Sequence, residues 1–152
     1  MEVHVRSARL TDLDAAIRMF ARDDDDDERA RDDVDYLRNL LFVPSATVAV
    51  AERERRVVGV GVLSIRPSVR SGPFVGVIDE LGIAERAELG AADWRRVADG
   101  IVEHLATSAR NKGCTRVEVS EPLASAEPSL WKRLGFASRG RTLQRSLGQG
   151  LG

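Results

Sequence analysis

The stretch that most constrains the fold runs from Ile78 to Gly113, where the pattern predicts a buried strand, a short loop and a long amphipathic helix. Gly113 marks the expected end of that helix, because glycine accepts the left-handed conformation in which helices often terminate. A strand that enters a helix through a short loop presents free main-chain N–H groups, which are suited to an anion. The apolar side chains of the helix recur three and four residues apart and so form one stripe: Trp94, Val97, Ala98, Ile101, Val102, Leu105, Ala106 and Ala109.

Bulk properties indicate one domain. The chain has 152 residues, of which 43% are hydrophobic and 31% charged, and we expect a single domain over residues 1–147 followed by a flexible tail, 148–152. No apolar run approaches the ~20 residues that cross a bilayer, and the N-terminus lacks an apolar signal core, so a cytoplasmic location without membrane contact is expected. The net charge of −1, with arginines interleaved among acids, argues against a nucleic-acid partner.

Cysteine and acidic residues carry two further local predictions. The single cysteine, Cys114, excludes an internal disulfide and is expected to pack as a small hydrophobic side chain. Because no Cys and His residues fall at zinc-type spacings, no metal site is predicted. The acidic run from Asp23 to Glu28 predicts a solvated loop, and its functional interpretation is an acidic lip that attracts a cationic substrate.

Periodicity and turn residues divide the chain into helices and strands. Thr11 is the expected N-cap of the first helix, and Pro44 follows the end of the second. The predicted helices cover Leu13 to Phe20, Val34 to Leu41, Trp94 to Lys112 and Pro128 to Leu134. The predicted strands cover Val3 to Ala8, Ala46 to Glu52, Val57 to Ile65, Phe74 to Ile83 and Thr115 to Ser120, with the last strands between Phe136 and Leu143.

Three local sequences, in this order along the chain, resemble segments of the GNAT (N-acetyltransferase) superfamily. Ile78–Ile83 resembles its fourth strand, Arg110–Val119 its passage from the third helix into the fifth strand, and Leu134–Phe136 a Leu-Gly-Phe segment that follows an apolar helix. The resemblance covers nearly the whole chain. It implies an α/β fold of the α+β kind, with a central mixed, mostly antiparallel sheet of six to seven strands flanked by about four helices.

The same resemblance implies a function: transfer of an acyl group from acetyl-CoA to an amine of a small molecule or a protein. The cofactor would lie in a wedge between the fourth and fifth strands and bond to strand edges. Asp79 and Glu80 are the candidate catalytic bases, of which one is expected to serve because alternation sends them to opposite faces. A homodimer is also open. The implied cofactor-binding residues are Leu81, Gly82, Ile83, Arg86, Leu89, Gly90 and Ala91.

The chain departs from the family pattern in its expected pyrophosphate loop. Glu88 takes the first basic or amide position, Asp93 takes the last small position, and Gly90 alone survives as glycine. Asp93 is expected to cap the helix and so to occupy N–H groups that a phosphate would need. Like unit charges ~4 Å apart repel by roughly 4 kcal/mol at a surface-like dielectric, which disfavours a bound anion. A shifted loop in which Arg86, Arg95 or Arg96 grips the phosphate is the alternative.

A second departure is Trp131, which stands where the family usually has a tyrosine that protonates the leaving thiolate. The indole N–H has no acid function, so Trp131 is expected to pack rather than to catalyse. Two hypotheses follow for the whole chain. It is either an N-acyltransferase with an atypical cofactor loop, or a catalytically inactive protein of the same fold that binds another ligand or a protein partner.

Overall fold

A mixed sheet of five strands, ordered as in the sequence, organises the described part of the chain. The computed structural model describes residues 2–20, 27–70, 72–138, 143 and 145–146, with side chains in the helix from Asp27 described from Asp32 onward. Each consecutive pair of strands is antiparallel except the last, which is parallel. The strands are β1 (Val3–Ser7), β2 (Ala46–Arg53), β3 (Arg56–Pro67), β4 (Phe74–Ile83) and β5 (Cys114–Val119).

Helices cover both faces of this sheet. They are α1 (Leu13–Arg18), α2 (Asp27–Leu40), α3 (Arg86–Leu89), α4 (Ala91–Asn111), α5 (Leu123–Ala126) and α6 (Pro128–Arg133). The predicted long amphipathic helix is confirmed as α4, which begins three residues before Trp94. The two four-residue helices, α3 and α5, were not predicted because a single turn is too short to show a 3.6-residue period. None of these helices combines the length and apolar character that a membrane crossing requires.

The face under α4 forms one apolar core, in which Val97, Ile101 and Leu105 are fully buried. Glycines in β3 allow the helix to lie close to the sheet. A Cβ on Gly59 would stand 2.7 Å from a Val97 methyl, and one on Gly61 would stand 2.5 Å from an Ile101 methyl. The opposite face forms a second core, in which α1 and α2 cover β2 and β3. Its buried residues are Leu13, Ala16, Leu37, Val48, Val50, Val60 and Val62.

The prediction of six to seven strands is not matched, because the described residues form five. The missing strands were placed between Phe136 and Leu143. Phe136 instead turns back onto α6: its N–H donates to the Trp131 carbonyl at 2.9 Å, and its ring meets the Trp131 ring edge to face at 5.4 Å. Residues 139–142 and the predicted tail, 148–152, lie outside the described residues. Six α-helices lie within the described residues, in place of the predicted four or so.

The predicted N-cap at Thr11 is wrong. Thr11 lies inside a 3-10 turn, Leu10–Asp12, and Asp12 precedes the six-residue α1. The buried Asp12 carboxylate accepts a hydrogen bond from the Arg9 N–H at 2.7 Å. It also accepts hydrogen bonds from both terminal nitrogens of Arg6, at 2.7 and 2.9 Å. Charge-assisted hydrogen bonds between a carboxylate and a guanidinium are stronger than the bond that a Thr11 hydroxyl cap would make. The contacts of Asp12 therefore decide where α1 begins. The acidic run is described only from Asp27, where α2 begins, and residues 21–26 lie outside the described residues.

Candidate active site

Strands β4 and β5 separate partway along their length and leave a wedge between them. Their parallel pairing ends at Ile78 and Val119, and the Ser120 N–H then donates to the Ile78 carbonyl at 3.2 Å. β4 continues to Ile83 with no β5 partner among the described residues, while the chain after β5 turns away into α5. The last five residues of β4 therefore present one main-chain edge to the wedge.

The wedge holds a pocket of about 410 Å³. Its walls come from the end of β4, the first turn of α4, the end of α1, and the α5–α6 segment. Most of the lining side chains are apolar, and the charged ones are Glu85, Arg86 and Glu127. The lining residues are Met19, Leu81, Gly82, Ile83, Glu85, Arg86, Trp94, Leu123, Ala126, Glu127 and Trp131.

Main-chain groups of Leu81 and Ile83 point into the wedge. The Ala84 N–H donates to the Val58 carbonyl at 2.9 Å, which makes these two residues a hydrogen-bonded pair across β3 and β4. Hydrogen-bonded pairs alternate along an antiparallel ladder, so Gly82 and Glu80 also bond to β3, whereas Leu81 and Ile83 face away from it. Of the three predicted cofactor-binding residues at this end of β4, Gly82 directs its N–H to β3, whereas Leu81 and Ile83 direct theirs toward the wedge.

Gly82 serves a packing role instead. A Cβ at this position would stand 2.5 Å from the Met19 carbonyl oxygen and 2.9 Å from the Phe20 ring. The end of α1 thus crosses β4 at a point where only glycine leaves room for its main chain. This crossing brings Met19 into the wall of the pocket.

Asp79 and Glu80 lie on the same face of β4, contrary to the prediction of opposite faces. The β3–β4 register pairs Val62 with Glu80 but Leu63 with Ile78, so Asp79 is the extra residue of a β-bulge. The Ser64 hydroxyl donates to Asp79 at 2.5 Å, and Ser64 shares its face of β3 with Val62. Asp79 is half-buried and Glu80 is exposed. Local alternation failed here because the bulge inserts one residue without a partner.

The first turn of α4 has free main-chain donors. The Trp94 N–H makes the first intrahelical bond, to the Gly90 carbonyl at 3.0 Å. Among the described residues, the N–H groups of Ala91, Ala92 and Asp93 have no acceptor. Of the other predicted loop residues, Leu89 is buried in the core and Gly90 donates its N–H to the Arg86 carbonyl at 2.7 Å. Ala91 is therefore the predicted loop residue whose amide is available.

Asp93 does not cap α4, which corrects the sequence-based expectation. Its carboxylate turns toward the β2–β3 hairpin and lies 3.3 Å from Arg53 Nε. It also lies 3.3 Å from Nη1 of Arg96, which is in α4 itself. Arg53 Nε is buried without hydrogen-bond geometry to any described partner, so its contact with Asp93 is electrostatic. Two positive charges offset the acid that was expected to repel a phosphate. Glu88 is exposed on α3.

Arg86 and Trp131 both line the pocket. The Arg86 guanidinium stacks on the Trp94 ring, 3.7 Å from its centroid, and donates to Glu127. Trp131 is 5% exposed and donates its indole N–H to the Leu123 carbonyl at 2.9 Å, which confirms its packing role. Cys114 is half-buried, and burial raises the pKa of its thiol. Within the described ranges, no three His, Cys, Asp or Glu residues are grouped to hold a metal ion.

Comparison with solved structures finds the same architecture in acetyltransferases. AAC(6')-Iy, solved in complex with the bisubstrate analog CoA-S-monomethyl-acetylneamine, matches with a TM-score of 0.75 at 18% identity, covering 96% of this chain and 98% of that one. Ribosomal-protein-alanine N-acetyltransferase from Brucella melitensis biovar Abortus 2308 matches with a TM-score of 0.72 at 18% identity, covering 97% and 100%. A transcriptional regulator from Bacillus halodurans C-125 matches with a TM-score of 0.72 at 18% identity, covering 96% and 100%.

No protein-family model matches the sequence, and the search of curated proteins found no match either. The likeness is therefore one of structure at low identity, and it concerns the fold. The chain has the fold of the GNAT acetyltransferases.

Proposed function

We propose that this chain is an N-acyltransferase that transfers the acetyl group of acetyl-CoA to an amine. The observation that carries the proposal is the separation of β4 from β5 after Ile78, which opens a pocket lined from Leu81 onward, directly after Asp79 and Glu80 in β4. A strand edge and two carboxylates at one place supply what this reaction needs: a linear binding track and a base beside it.

The pocket fits an acyl-CoA molecule in its chemistry. The main-chain groups of Leu81 and Ile83 can bond an amide-containing chain as a further strand would. Free N–H groups at the start of α4, beginning with Ala91, together with the Arg86 guanidinium, can hold a diphosphate. AAC(6')-Iy, which has the same fold, was solved with a CoA-containing analog, and this supports the assignment.

Acetyl-CoA supplies an acyl group activated as a thioester. An ammonium group must lose a proton before its nitrogen lone pair can attack the thioester carbon. In this proposal Asp79 or Glu80 accepts that proton, and Glu80 is the more accessible of the two. As the new C–N bond forms the C–S bond breaks, and the thiolate takes up the second proton that the nitrogen must lose, directly or through water, which leaves an amide and free CoA. The Leu81 and Ile83 N–H groups are the donors available to polarise the thioester carbonyl.

The acceptor in this proposal is an amine of a small molecule or of a protein. The similar structures include an aminoglycoside N-acetyltransferase and a ribosomal-protein-alanine N-acetyltransferase, so their names cover both a small-molecule and a protein acceptor. Two carboxylates on one face favour an acceptor that arrives as a cation. The acidic run from Asp23 to Asp27 remains a candidate lip, and replacing it with asparagines tests that role by substrate preference.

The test is the rate of CoA thiol release from acetyl-CoA in the presence of a panel of small amines and peptides. We expect Glu80→Gln or Asp79→Asn to lower kcat by about 100-fold while the Kd for acetyl-CoA changes little, because a general base contributes at the chemical step. Asp14→Asn, which removes an exposed acid on α1, is the matched control and should retain full activity.

Full activity in both site variants would remove the base assignment. Absence of acetyl-CoA binding together with absence of turnover on any amine would contradict the proposed function itself. The inactive alternative rested on Glu88 and Asp93, but Asp93 is paired with Arg53 and Arg96. That alternative predicts that Glu88→Arg combined with Asp93→Gly creates CoA affinity that the natural chain lacks. A homodimer remains a prediction.

A further inference from the structure

One ion pair spans the mouth of the wedge. Arg86 belongs to α3, which follows β4, and Glu127 lies between α5 and α6, which follow β5. Arg86 Nη2 donates to both carboxylate oxygens of Glu127, at 3.1 and 3.0 Å. Both side chains line the pocket. A ligand that enters between the two strands therefore meets this pair.

The pair uses the nitrogen that Arg86 needs for any forked contact. A guanidinium presents two forks, one made of Nε and Nη2 and the other of Nη1 and Nη2, so Nη2 belongs to both. Glu127 engages Nη2 alone, and Nε and Nη1 have no hydrogen-bond partner in the part of the chain that the structure describes. A phosphate oxygen placed on either fork would lie beside the Glu127 carboxylate, so the two anions repel each other and compete for Arg86.

The closed arrangement is easily exchanged. The Arg86 and Glu127 side chains are 52% and 34% exposed, and ion pairs this accessible to water contribute little to stability. The guanidinium is also stacked on Trp94, which keeps its plane at the mouth of the pocket when Glu127 lets go. The ion pair thus positions the Arg86 guanidinium at the mouth of the pocket, and breaking it requires little free energy.

We propose that Glu127 sets the affinity of the wedge for diphosphate-bearing ligands by competing for Arg86. In the free protein the Glu127 carboxylate occupies Nη2, and on binding a phosphate of the ligand replaces it there. Glu127 is a positioning residue, since it acts through Arg86 and touches no reacting atom. The inference rests on the proposed function, because acetyl-CoA carries the diphosphate concerned.

The test compares the natural chain with Glu127→Gln in calorimetric titration with CoA. Removal of the competing carboxylate should tighten CoA binding about three-fold, and at most about five-fold, which is the range for an exposed ion pair. KM for acetyl-CoA should fall by the same factor with kcat unchanged. In an Arg86→Ala background the same substitution should have no effect, because the group for which Glu127 competes is gone.

The matched control is Glu121→Gln. It removes the same charge from the same side of the wedge, but Glu121 bonds to Ser125 and not to Arg86. An equal gain in affinity from Glu121→Gln would show that only the general charge matters and would overturn the inference. Unchanged CoA affinity in Glu127→Gln, with clear binding by both proteins, would also overturn it while leaving the proposed function intact.

A second readout needs no ligand. Trp131 is 5% exposed, so acrylamide quenching of tryptophan fluorescence reports mainly Trp94. Because stacking keeps the Arg86 guanidinium on the Trp94 ring, the quenching constant of Glu127→Gln should equal those of the natural chain and of Glu121→Gln. A higher quenching constant in Glu127→Gln alone would show that the guanidinium leaves Trp94 when Glu127 is removed, and would contradict the claim that Arg86 is held at the mouth. Absence of CoA binding in all of them would instead contradict the proposed function, and the exchange with it.

Discussion

Asp12 shows how one buried carboxylate can organise its surroundings. It joins β1 to the start of α1 through Arg6, which also reaches Glu52 on β2. Hydrogen bonds from the Arg6 guanidinium hold the pKa of the Asp12 carboxyl below its ordinary value of 3.8, although burial acts in the opposite direction. The charged form is therefore the one that the folded protein binds more strongly.

We expect Asp12→Asn to lower the free energy of unfolding at pH 7 by about 3 kcal/mol, because it leaves Arg6 partly buried without its main partner. A carboxyl with a depressed pKa stabilises the fold above the unfolded value, near 4, and loses that contribution as the pH falls through the folded value. The difference between the two proteins should thus shrink below about pH 4. Urea unfolding at several pH values measures it.

Asp14→Asn serves as the control, since Asp14 is exposed in α1, two residues after Asp12. Its effect should stay within about 0.5 kcal/mol at every pH. A difference between natural chain and Asp12→Asn that grew on acidification would contradict the assigned sign.

Single side chains also show what sequence reasoning could and could not reach. Asp79 and Glu80 were selected from their place in a strand that resembles a known one, and the pocket lining on β4 begins with the next residue, Leu81. Their common face could not be predicted, because a bulge is decided by the register between β3 and β4 and not by local alternation. The partners of Asp93 were equally out of reach, since Arg53 is forty residues away and meets it only through tertiary packing.

Among the elements, the β2–β3 hairpin shows the clearest mismatch between residue type and backbone conformation. Arg53 pairs with Arg56, which leaves a two-residue turn at Glu54 and Arg55 with φ of +54° and +65°. Such turns favour Asn-Gly, because side chains other than Asn, Asp and Gly are strained in this conformation. Because the predicted strands end at Glu52 and begin again at Val57, a turn between them follows from the sequence, but its type does not, since Glu and Arg are unusual in it.

We expect Glu54→Asn combined with Arg55→Gly to raise the free energy of unfolding by about 1 kcal/mol, through relief of that strain. The double change removes one charge of each sign, so the net charge is unaltered. The matching double alanine variant removes the same charges without favouring the turn and should give no gain. Thermal and urea unfolding of the three proteins would decide the matter, and equal stability of the Asn-Gly and Ala-Ala variants would refute the turn argument.

The long helix α4 could be predicted from the sequence, whereas the shortest helices could not. α4 repeats its apolar stripe over 21 residues, so its existence and its buried face followed from periodicity alone. α3 and α5 are four residues each and owe their form to their neighbours. The glycines of β3 had no local explanation until α4 was seen to pack against Gly59 and Gly61.

Taken together, the elements build a wedge from two separate parts of the chain. One wall is β4 with the start of α4, and the other is the α5–α6 segment. Arg133 of α6 bonds to Asp99 of α4 at 2.8 Å, and the Trp131 indole ties α6 to Leu123, so the second wall is anchored. The order of elements around this wedge was predictable from the resemblance. The ion pair at its mouth was not predictable, because it joins residues that are distant in sequence.

The central claim is that this wedge binds acetyl-CoA, and calorimetric titration with acetyl-CoA tests it most directly. Ala126 lines the pocket, whereas the adjacent Ser125 does not, so Ala126→Trp fills the pocket and Ser125→Trp adds the same bulk beside it. We predict micromolar binding by the natural chain, binding weakened roughly tenfold or more in Ala126→Trp, and natural affinity in Ser125→Trp. Absence of binding by the natural chain at millimolar ligand, or equal affinity in Ala126→Trp, would contradict the claim.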